Sequence, residues 1–150
     1  SLISLAFEFN SYKRAQRATL ALQVNQQLQM PTLAHALETV RMLEAPSLNG
    51  HGGPAHAAPV LMNGQWQAVK DVNRYFSHVG ELLRTGVADD EVFALMGPSI
   101  SEMWHISKSH RTKLAEKSDS PAVKDDFDYL YVEWLNYDHR RISSGGSFSA

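Results

Sequence analysis

Seven histidines are the side chains of this sequence best suited to acid–base or metal chemistry, and their spacing argues against a metal pair. His51 and His56 bracket a Gly-Gly-Pro-Ala stretch, while His105 and His110 fall in a helix-like segment. Two imidazoles on one helix share a metal when they sit three or four residues apart, so that both rings project from one face. A spacing of five turns the second ring roughly 140° away. No HExxH pattern is present. Each histidine is therefore expected to be solvated or to cap a helix, as His139 after Asp138 would. Asp89-Asp90-Glu91 and Asp125-Asp126-Phe127-Asp128, with Glu133, have the composition of a magnesium or general-base site. Their placement at helix starts favours water-facing carboxylates that complement the helix dipole.

Other chemistry is excluded more directly. The chain has no cysteine, which removes thiolate zinc sites, iron–sulfur clusters, disulfides and cysteine nucleophiles. GxSxG, GxxxxGK[ST] and GxGxxG patterns are absent. No catalytic, cofactor-binding or metal-binding residue is assigned, and no cofactor is implied. With 14 basic and 16 acidic residues, a net charge of −2 predicts no nucleic-acid partner. Lys108, Arg111, Lys113 and Lys117 form a modest basic stretch, read as a solvated face because Glu116 and Asp119 adjoin it. Lys13, Arg14 and Arg17 are more suggestive: they form a basic collar behind the apolar run Ser1–Phe9, which only Glu8 interrupts.

That run is too short for a membrane span of about 20 residues, and its basic residues follow it, unlike those of a secretory signal. Two readings stay open. Residues 1–30 begin a soluble helix with an apolar first turn, or they are the end of a truncated membrane helix with its collar on the cytoplasmic side.

The elements that must position these residues are all helical. Ser4 to about Gln29 contains no helix breaker, and Met30-Pro31 interrupts it. A second helix is expected from Pro31 or Thr32 to Leu43, with Leu33, Leu37, Val40 and Leu43 inward. Ala45–Gly64, rich in glycine and proline, reads as an insertion loop whose Val60-Leu61-Met62 can tuck into the core. From Gln65 to Thr85, Val69, Val72, Phe76, Val79 and Leu83 form one face, closed by Gly86. A short helix from Asp89 should stop at Gly97-Pro98. Ser99 and Glu102 have capping-box spacing for the next helix, which fades near Lys117. Ser120-Pro121 suits the start of the last helix, and Ile142–Ala150 reads as a loose tail. The expected fold is an all-α bundle of five to six helices, with residues 31–141 as its body.

Aromatic residues concentrate in the second half. Phe76, Trp104, Phe127 and Trp134 are expected in the core. Tyr129, Tyr131, Trp134 and Tyr137 cannot share one helical stripe, so Tyr129, Tyr131 and Tyr137 form a candidate partner surface.

Asn73-Arg-Tyr-Phe76, Arg84-Thr-Gly86-Val87-Ala-Asp89, Asp90-Glu91-Val92-Phe93, Met103-Trp104 and Phe127-Asp128-Tyr129-Leu130 follow one another in an order that resembles the domain-of-unknown-function family 4760. These are small helical proteins of bacteria and phages. The resemblance covers roughly residues 69–137, with a weaker echo in the first helix. Ser77-His78 departs from it where acidic residues are expected, and the 45–64 loop looks inserted. The resemblance implies a membrane helix running through a basic stretch into a helical domain. It supplies no catalytic residues.

The sequence thus predicts a non-enzymatic, membrane-proximal helical interaction protein or an accessory subunit of a larger membrane complex. It would touch the membrane surface through its first helix and bind another protein. The competing class is an enzyme or ligand-binding domain that joins His78, His105 or His110 to a carboxylate of another helix.

Overall fold

A computed structural model describes residues 1–43, 61–117 and 126–145. The protein is an all-α bundle. Its described helices are α1 (Leu2–Gln27), α2 (Pro31–Met42), α3 (Asn63–Arg84), α4 (Glu91–Lys117) and α5 (Asp126–Gly145). The described residues contain no strand. Most of the expected insertion loop and the Ser120-Pro121 helix start lie outside the described residues.

The amphipathic α3 is the centre of the bundle and packs against α2, α4 and α5. Its Val69, Val72, Phe76 and Val79 are fully buried, in the spacing of three and four that a helix turns to one side. Phe127 of α5 stacks on Phe76 with ring centroids 4.9 Å apart. Burying side chains of this size stabilises the fold by about 1.5–3 kcal/mol each. Leu61 is buried beside them, whereas its neighbour Met62 is exposed. Trp104 and Trp134, expected in the core, are instead half-buried at its edge.

Gly86 ends α3 with a φ of 77°, a backbone conformation glycine adopts without a steric penalty. The next helix opens where Asp89 Oδ1 accepts the Glu91 amide at 3.1 Å. One expectation then fails: α4 does not stop at Gly97-Pro98 but runs through Pro98 to Lys117. The Ser99–Glu102 capping-box spacing accordingly lies inside a helix. A proline within a helix costs about 3 kcal/mol. On either side of it Val92, Phe93, Met96, Ile100 and Met103 are all buried along one stripe. Their combined burial, at about 1.5–3 kcal/mol each, outweighs the lost hydrogen bond.

Two glycines set how closely α5 can lie. A Cβ on Gly80 would fall 2.0 Å from the Asp126 carbonyl oxygen, and one on Gly97 would fall 2.2 Å from the Trp134 ring. The expected tail is also shorter than predicted, because α5 continues past Ile142 to Gly145. Ser144 donates to the Arg140 carbonyl at 2.9 Å, and Ser143 meets His139 at 3.4 Å.

Only the second half of α1 joins the bundle. Ala21 and Val24 are its buried residues. Near its C-terminal end, where helix carbonyls lack amide partners, the Val24 carbonyl accepts the buried Tyr75 hydroxyl of α3. Burial pushes the Tyr75 pKa up, so the hydroxyl keeps the proton it donates.

Candidate functional site

The three histidines of the competing reading end in three separate environments. His78 is exposed on α3 and approaches Glu81 of the same helix at 4.0 Å. His105, also exposed, meets the Tyr131 hydroxyl at 3.1 Å. His110 is neither solvated nor at a helix end, the two states expected of it. It is 6% exposed, its ring stands edge-on to Trp66, and its Nδ1 has no hydrogen-bond partner among the described residues. Desolvation, and secondarily the positive charge of Lys113, hold its pKa below the ordinary imidazole value. Among the described residues, no carboxylate from another helix meets any of the three. Nor do the described residues contain a group of three His, Asp or Glu able to hold a metal.

The most densely connected polar cluster lies on the seam between α4 and α5. Asp128 Oδ1 accepts from Trp104 Nε1 at 2.7 Å and from Arg111 at 3.1 Å. Arg111 was expected on a solvated basic face, but it is only 8% exposed and its guanidinium lies over the Phe127 ring at 4.7 Å. Its planar, weakly hydrated charge suits such a stacked site. Lys108 covers the outer side of Trp104 at 4.7 Å, while Tyr131 stacks on that indole at 4.0 Å. Both faces and the N–H of Trp104 are therefore engaged within the fold. The seam holds two helices together. Asp126 likewise binds Arg84 of α3 at 2.9 Å. The carboxylates at the start of α5 thus tie it to α3 and α4 rather than only facing water.

The structure does not bring Tyr129, Tyr131 and Tyr137 together on one surface. Tyr131 is stacked on Trp104, Tyr137 packs on Phe93 and Trp134, and Tyr129 is exposed on another flank. The open apolar face of α5 is instead Tyr129, Val132, Leu135 and Ile142. Val132 and Leu135 carried no expected role, and Ile142 was expected in the tail. Their spacing of three and seven, off the Phe127–Leu130–Trp134 stripe, was the available signal.

The most exposed apolar surface belongs to α1. Residues 1–16 are all exposed, and Leu2, Ile3, Leu5, Phe7, Phe9 and Tyr12 show between 57 and 86% of their area to solvent. Lys13 and Arg14 follow in the open, with Arg17 half-buried. Lys13 Nζ sits over the Phe9 ring at 4.6 Å. Among the described residues none of the three cations forms an ion pair. No described helix is long and apolar enough to cross a membrane. In α1 the charges of Glu8, Lys13, Arg14 and Arg17 interrupt the apolar stretch.

These features define an all-α bundle from which the apolar first turns of α1 project. No family model matches the chain, and no curated protein or solved structure matches it either.

Proposed function

We propose that this protein is a non-enzymatic, membrane-proximal interaction protein: the first turns of α1 rest against a membrane, and the bundle carries a second protein. The observation behind this reading is the exposure of six large apolar side chains on helical turns that bury nothing in the fold. Contiguous apolar surface of that kind marks an interaction site. A helix without tertiary packing is also marginal in water, and a partner surface supplies what the bundle does not. Lys13, Arg14 and Arg17 favour the anionic cytoplasmic face as that surface.

The outer face of α5, with Val132, Leu135 and Ile142 open, supports the protein-binding half of the proposal. An accessory subunit of a membrane complex would use both surfaces at once. The likeness of residues 69–137 to family 4760 rests on motif order alone and carries no part of the argument.

Flotation with vesicles of phosphatidylcholine and phosphatidylglycerol tests the membrane half. The chain should rise with the vesicles at low salt, and a Phe7→Ser, Phe9→Ser variant with an unchanged fold should stay behind. Wild-type protein that remains at the bottom of the gradient removes the proposal.

A further inference from the structure

Resting on the membrane reading above, we infer that the first turns of α1 lie in the surface of an anionic bilayer at a slant. Leu2–Phe9 lie below the headgroups, Lys13, Arg14 and Arg17 sit at phosphate level, and Glu8 turns towards water. The position of the charges around the helix carries this. Taking Leu2 as the origin and about 100° per residue, Ile3, Leu5, Ala6 and Phe9 fall within ~100° of it and Phe7 at ~140°. Lys13, Arg17 and Arg14 follow at ~20°, ~60° and ~120°, on the same side as the apolar residues but farther along the axis. Ser4, Ser11 and Glu8 occupy the opposite side, between ~180° and ~240°.

Two orientations are thereby disfavoured. A helix lying flat would press its cations to the same depth as Phe9, because they share a face. A helix standing upright would draw the Glu8 carboxylate into hydrocarbon, a costly transfer. A slant satisfies both groups: the apolar turns go down, the cations reach the phosphates, and the Ser4–Glu8–Ser11 side stays uppermost.

The occupant is an anionic lipid surface on grounds of charge. The first nineteen residues carry three cations and one carboxylate in a chain whose net charge is −2. Side-by-side parallel pairing with a second copy would gather those cations next to one another, with each Glu8 on the far side of its helix.

The absence of cysteine makes the test direct, because any introduced cysteine is the single labelling site. Nitroxide labels on Ile3→Cys, Ala6→Cys, Asn10→Cys, Ser11→Cys and Gln16→Cys variants are read for depth by oxygen and nickel-chelate accessibility. The vesicles contain phosphatidylcholine with or without phosphatidylglycerol. The expected result is a depth that falls from Ile3 through Ala6 and Asn10 to Gln16, with Ser11 shallower than Asn10. Arg14→Gln should weaken partitioning about 5-fold on the anionic vesicles. Uniform depth along bound α1 overturns the slant while leaving the membrane reading intact. Equal partitioning onto neutral vesicles overturns the anionic preference. Labels that stay in water on vesicles that do not retain the protein remove both readings. Spin–spin broadening between copies without vesicles shows that a second copy takes the arm, and it overturns the inference.

Discussion

His110 couples the stability of the bundle to pH. Its folded-state pKa lies below the ordinary imidazole value of 6.5, because burial disfavours the charged ring and Lys113 adds repulsion. Between those two values the unfolded chain binds a proton that the folded chain refuses, so stability rises with pH there. The contribution is complete above about pH 6.5 and is lost as pH falls towards the folded value. Urea midpoints measured from pH 7.5 down to 5.5 should decline, and His110→Gln should flatten the decline. Asp128 is the second sensitive position, since it neutralises the nearly buried Arg111 and receives the Trp104 indole. Asp128→Ala should destabilise the fold by about 2 kcal/mol, read by chemical denaturation. Neither role is written in the local sequence. Spacing showed that His105 and His110 face apart, but which of them turns inward depends on Trp66, far along the chain. Asp128 looked like a dipole-complementing carboxylate until α4 was laid beside it.

Among the elements, the helical periodicity was legible wherever one face is buried against several neighbours. The α3 stripe Val69–Val72–Phe76–Val79 and the Gly86 stop are the best instances. Gly97-Pro98 misled because a local breaker signal competes with burial that only the assembled bundle supplies. Two substitutions test this account. Pro98→Ala restores an amide at an exposed helical position and should stabilise the protein by about 1–3 kcal/mol in thermal or urea unfolding. Gly80→Ala places a methyl group against the Asp126 backbone, which cannot swing aside like a side chain, and should cost about 1–3 kcal/mol despite the better helix former.

At the scale of the whole molecule, packing is uneven. The bundle is tied by Phe76–Phe127, by Arg84–Asp126 and by Arg41, which meets Glu102 of α4 at 2.8 Å. The α1 helix shares in it only through its second half. The apolar start and the basic collar were visible in the sequence, whereas the exposure of all of residues 1–16 was not, because composition does not say which turns find a neighbour. Exposure of this kind gives the central claim a direct readout in backbone hydrogen exchange over residues 2–19, with and without phosphatidylglycerol-containing vesicles. Turns without tertiary packing should exchange fast in solution, while the amides of α3 stay protected. On the vesicles, residues 2–12 should become strongly protected and α3 should be unchanged. Identical exchange of residues 2–12 in the two conditions would contradict the account.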